Sequence, residues 1–185
     1  SRQLKYWQKK LAGIPAELGL PTDKRRPKEL SYEGGHYNFE IDEETSKKLV
    51  EISKEEGASL YMILLSALKI LLHKLSGNED IVVGSPVANR HYKETEKMIG
   101  FFVNTLVSRG KVNGSKKFSE LLKEVRKDVL TSYEYQDVPF EQIVDGLKIE
   151  RATNRNPVFQ VMFNMRNITT SNKELLLDIT AQNIA

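Results

Sequence analysis

A general base working near neutral pH is most often a histidine, and this sequence offers three: His36, His73 and His91. They are scattered, and none stands in an H-E-x-x-H pair; with no cysteine there is also no thiolate nucleophile or thiolate metal ligand. His36 falls on a strand face, His73 near the end of a helix and His91 in a loop, places that histidines occupy without doing chemistry. A glycine-rich phosphate loop and a G-x-S-x-G elbow are both missing. The residues offer no metal site and no self-contained team for nucleophilic catalysis.

Polar residues set where apolar ones are expected are more informative. Asn104 and Thr105 split Phe101-Phe102-Val103 from Leu106-Val107, so one of them is a buried amide or hydroxyl in need of partners. Two readings stand: a side chain that satisfies nearby backbone, or one that faces a ligand. Arg155-Asn156-Pro157 precedes an apolar run, and Tyr135-Gln136-Asp137-Val138-Pro139-Phe140-Glu141 lies between two helical patterns. Capping and turn formation explain these, with Asp137 a candidate cap for the helix that Pro139 opens.

The elements that must position these residues follow from periodicity. Leu4, Trp7 and Leu11 give a helix over residues 3–12, and a Pro- and Gly-rich connection runs from Gly13 to Gly35. Tyr37, Phe39 and Ile41 alternate as in a half-buried strand, and Asp42 is placed to cap a helix reaching about Glu56. Ser59 opens a helix apolar nearly all round, closed by Gly77, which should be the most buried of the fold. Ile81-Val82-Val83 reads as a strand covered on both faces, followed by a strand Phe101 to Arg109 and an amphipathic helix Lys116 to Tyr133. Val158 to Met165 predicts a strongly apolar strand and Leu175 to Ile179 one more. The alternation predicts a mixed α/β class, a mixed sheet backed by helices.

Length and charge bound the rest. The 185 residues suit one domain or one large lobe, and 28 Lys and Arg against 25 Asp and Glu are too balanced for the dense basic stripe of a nucleic-acid binder. The longest apolar run, Leu60 to Leu65, is far short of the ~20 residues a membrane span needs. No nucleic acid and no membrane is expected, and the lack of cysteine suits a cytoplasmic setting. The cluster Lys24-Arg25-Arg26-Pro27-Lys28 is either solvated surface or a dock for an acidic partner.

Four ordered stretches carry a resemblance. Gly84-Ser85-Pro86-Val87-Ala88-Asn89-Arg90, then Ile99-Gly100-Phe101-Phe102-Val103-Asn104-Thr105-Leu106-Val107, then Tyr135 to Glu141, then Arg155-Asn156-Pro157-Val158-Phe159-Gln160 resemble the second half of a nonribosomal peptide synthetase condensation domain. Tyr6-Trp7-Gln8 and Leu20-Pro21-Thr22-Asp23 are similar to the lead-in to that family's C-terminal lobe. The resemblance implies a chloramphenicol-acetyltransferase-like lobe, with residues 1–34 as lead-in helix and extended segment and 35–185 as the lobe, incomplete at its C-terminus.

In that family two lobes enclose a tunnel where an acceptor amine attacks a donor thioester, both substrates arriving on the phosphopantetheine of carrier proteins. No cofactor is bound directly. The implied partners are the N-terminal lobe, carrier domains and a neighbouring adenylation domain. The catalytic signature HHxxxDG belongs to the N-terminal lobe, and this sequence has no adjacent histidine pair, so no catalytic residue is assigned and the lobe is expected to be inactive alone. Carried over by position, Arg90 would pair with the signature aspartate of the other lobe. Asn104 and Thr105 would lie by the tunnel, with Asn104→Ala expected to alter turnover more than stability. Gln136, Asp137, Arg155 and Asn156 would be structural. The family often has His at the position of Tyr135 and Tyr at that of Val138. The alternatives are a carrier-docking or scaffold lobe without chemistry, and a related epimerising or ester-forming acyltransferase.

Overall fold

The computed structural model describes residues 1–29, 33–89, 94, 98–100, 102–147, 149 and 153–166. Among them the elements run α1 (Arg2–Lys10), α2 (Glu43–Glu55), α3 (Leu60–Ser76), β1 (Asp80–Val87), β2 (Asn104–Lys111), α4 (Phe118–Glu134) and α5 (Phe140–Leu147). The starts of α2 and α3 have local causes. The Asp42 carboxylate accepts from Thr45 N at 2.7 Å and from the Thr45 hydroxyl, bonds that hold its carboxyl below the usual range. Ser59 Oγ accepts from Met62 N and opens α3, and Gly77, at φ 72°, closes it in the left-handed conformation that favours glycine.

β1 and β2 pair antiparallel, from Asp80 opposite Lys111 to Val87 opposite Asn104. Alternation sends Ile81 and Val83 into a core with α2, α3, α4 and Phe163, while Val82 and Val107 join α1, α5, Val158 and Phe159 on the other side. The Ile81-Val82-Val83 run is therefore buried on both faces, as its continuous apolar pattern requires. Arg109 fastens one helix to this sheet. Its guanidinium binds Asp80 at 2.6 Å and donates to the carbonyls of Lys10 and Ala12, which would otherwise end α1 without partners.

Three sequence expectations change. Residues 36–41 form no strand: Tyr37 is 84% exposed, and among the described residues no strand lies beside the segment. Alternation there marks two faces, but only a partner makes a strand. The Val158 to Met165 run is likewise a single parallel bridge, Gly84 with Met162, built by Gly84 N to Val161 O and Phe163 N to Gly84 O. It is apolar because Val158, Phe159 and Phe163 are buried against both cores. Helix α2 is also shallower than its pattern suggests, with Val50 exposed and only Leu49 and Ile52 against the core. The expected strand Leu175 to Ile179 lies outside the described residues.

Candidate functional site

The four sequence stretches meet at one end of the sheet. Ser85, Pro86 and Val87 lie opposite Leu106, Thr105 and Asn104, so the first stretch and the second are adjacent strands. The fourth stretch passes beside the first: Phe159 covers Gly84, where a Cβ would come within 2.5 Å of its ring, and Ser85 Oγ donates to Phe163 O at 2.9 Å. Glycine at 84 is thus required by the close approach of an aromatic ring.

Asn104 joins the third stretch to the second. Its Nδ2 donates to Gln136 O at 2.7 Å and Val138 O at 2.9 Å; its Oδ1 accepts from Thr105 N at 2.9 Å and Phe140 N at 3.1 Å. A carboxamide has two donor hydrogens and two acceptor lone pairs, and here all four act on backbone. The side chain pins the start of β2 to the turn between α4 and α5. The Phe140 amide at the opening of α5 therefore goes to Asn104, while Asp137 accepts from Gln3 Nε2 at 2.8 Å and ties the turn to α1. Gln136 Nε2 donates to Tyr133 O, and Thr105 is half-buried opposite Pro86. Tyr135 stacks on Tyr6 at 4.1 Å, and its carbonyl accepts from the Trp7 indole.

Asn156 Oδ1 accepts from Val158 N and Phe159 N, shaping the turn before the bridge, and Arg155 pairs with Glu17 at 2.8 Å. Both therefore order the chain. Arg90 and His91 lie outside the described residues. His36 is exposed, and His73 Nδ1 donates to Asn78 O at the far end of α3.

Between the two strands, α3 and α4 lies a cavity of about 100 Å³, lined in part by Tyr61, Ser85, Ser108, Ser132 and Phe163. Because Ser85 gives its proton to Phe163 O, the Tyr61 hydroxyl must donate to Ser85 at 2.7 Å. Burial pushes the Tyr61 phenol up to about 12, so this is a neutral relay, able to orient a polar group and not to take a proton near pH 7. Among the described residues no cluster of metal-ligating side chains occurs, and no single helix is long and apolar enough to cross a membrane.

Sequence reasoning missed a polar layer between β2 and α4. Asp128 binds Lys10 at 2.6 Å and Ser108 at 2.7 Å, joining three elements distant in sequence. Lys69, within apolar α3, is fully buried, and its Nζ has no hydrogen-bond partner among the described residues. Burial lowers it to about 8. One lysine in the run Leu60 to Leu72 was the signal for it; nothing local foretold the Lys10 to Asp128 pair.

The Condensation domain family model matches residues 1–183. The chain is 47% identical over 167 residues to one of the linear gramicidin synthase proteins of Brevibacillus parabrevis, covering 90% of this chain and 3% of that protein. It is 44% identical over 166 residues to bacitracin synthase 3 of Bacillus licheniformis, covering 90% of this chain and 3% of that protein. Among solved structures, the X-domain from teicoplanin biosynthesis matches with a TM-score of 0.84 at 29% identity, over 88% of this chain and 36% of that one. A holo four-domain nonribosomal peptide synthetase bound to AMP and glycine matches at 0.89 and 25% identity, over 91% of this chain and 13% of that one. The chain spans a small part of each relative. Motifs, packing and matches agree: this mixed α/β chain belongs to the condensation-domain family of nonribosomal peptide synthetases.

Proposed function

We propose that this chain is the C-terminal lobe of a condensation domain that forms peptide bonds between carrier-bound aminoacyl or peptidyl thioesters, working only beside an N-terminal lobe that carries HHxxxDG. The observation that carries this reading is the meeting of four motif stretches around Asn104 and Ser85. Amide formation needs the amine held near the thioester carbonyl, its proton removed and the oxyanion stabilised. This lobe serves the first need as a rigid wall, with Asn104 and Thr105 as positioning residues at the tunnel and Gln136, Asp137, Arg155 and Asn156 ordering the chain behind it. Substrates come on phosphopantetheine arms of carrier domains, with an adenylation domain nearby, in a cytoplasmic assembly. Residues 1–34 serve as lead-in and 35–185 as the lobe.

Arg90 is assigned as the ion-pair partner of the signature aspartate. In the intact domain Arg90→Ala lowers dipeptide formation from loaded carriers about tenfold or more, and neutralising the aspartate as well adds little, as coupled partners require. A normal rate in the Arg90 variant, or two fully additive losses, contradicts the pairing. A second reading, a docking lobe without chemistry, has one observation in its favour: Lys24, Arg25 and Lys28 are exposed. Salt-sensitive carrier binding with no lobe-dependent turnover would select it. An epimerising or ester-forming product would select a related acyltransferase.

A further inference from the structure

A second cleft, of about 490 Å³, opens between β2 and α4 on the face carrying the polar layer. Lys10, Arg109, Lys111 and Lys116 line it, together with Glu124 and Asp128. Three of the four cations are already matched, Lys10 to Asp128, Arg109 to Asp80 and Lys116 to Glu124. Gly110 lies in the same lining, and a Cβ there would stand 3.0 Å from Lys69 Nζ. The absence of a side chain at 110 lets the buried amine come up beneath the cleft with only backbone between. Among the described residues that amine has no hydrogen-bond partner, and Asp128, Asp80 and Lys10 supply the charges around it.

With Lys69 counted, five cationic groups face three carboxylates, and a buried charge without a partner is costly unless something else neutralises it. We infer that the cleft between β2 and α4 binds a phosphoryl dianion, held at the open side by Lys111 and attracted from beneath, across the Gly110 backbone, by the charge of Lys69. Two uncompensated positive charges match a tetrahedral dianion better than a single carboxylate, and the cleft is wide enough for a phosphate bearing a small substituent. The site is separate from the Asn104 turn and does not depend on the proposed peptide-bond chemistry.

The test is titration of the intact protein with inorganic phosphate, methyl phosphate and acetate, followed by phosphorus NMR and calorimetry at constant ionic strength. Lys69→Met, which keeps the buried stem, is expected to weaken phosphate binding by about tenfold or more, the loss of one charge across a low-dielectric gap. Glu124→Gln, on the exposed side, is expected to tighten it several-fold. Binding of methyl phosphate as well as inorganic phosphate identifies a phosphate ester as the natural occupant; binding of inorganic phosphate alone identifies the free ion. Equal phosphate affinity in wild type and Lys69→Met, acetate binding as tight as phosphate, or weaker binding in Glu124→Gln overturns the assignment.

Discussion

Replacing Lys69 by methionine should stabilise the fold near neutral pH. The unbranched stem packs as before, and the buried ammonium, unsatisfied among the described residues, is removed. Burial takes the amine from an ordinary value of 10.5 to about 8, which corresponds to a penalty of roughly 3 kcal/mol when it is protonated in both states. The sign follows from proton counts. Below pH 8 the amine is protonated folded and unfolded, and the penalty is complete. Between 8 and 10.5 the folded form sheds the proton while the unfolded chain keeps it, so wild-type stability rises with pH; above 10.5 the penalty is gone. Urea unfolding of the intact domain in phosphate-free buffer should show Lys69→Met more stable by about 2 to 3 kcal/mol at pH 7, the advantage shrinking steadily towards pH 10. A variant less stable than wild type at pH 7, or an advantage that ignores pH, refutes the reasoning.

Asn104→Ala removes four hydrogen bonds and leaves the Gln136 and Val138 carbonyls and the Phe140 amide short of a partner, so unfolding free energy should fall by about 3 kcal/mol; a loss under about 1 kcal/mol by urea denaturation contradicts the pin. Dipeptide formation measured beside it tests the order expected from the sequence, in which turnover changes more than stability. Gly84→Ala drives a methyl into the Phe159 ring and should cost about 1 to 3 kcal/mol. Phe159→Leu in the same chain should recover part of that loss, and thermal melts showing no recovery would place the strain elsewhere.

Signals that act over a few residues were legible in the sequence. Asp42, Ser59 and Gly77 mark helix ends by bonds to groups within three or four positions, and Ile81 to Val83 declares a strand covered twice because no polar residue breaks it. What depends on distant partners was not. Tyr37 and Phe39 alternate correctly but find no neighbouring strand among the described residues. Asn104 was visible as an anomaly, yet its partners lie 32 to 36 residues away, and only the fold reveals that they are backbone. The Lys10 to Asp128 pair spans most of the chain, and Lys69, though visible as the one lysine of an apolar run, owes its burial to the elements packed over it. The resemblance reached further than periodicity because four separate stretches had to agree at once, and in the fold they touch.

Whether this chain works only beside a histidine-bearing partner, as proposed, is decided by dipeptide formation from two loaded carrier proteins, measured for the intact condensation domain and for residues 1–185 alone. Turnover is expected from the intact domain and none from the isolated chain, and the intact domain should lose its rate when the signature histidine of HHxxxDG is replaced. Turnover by the isolated chain, or an intact domain indifferent to that histidine, would contradict the proposed division of labour.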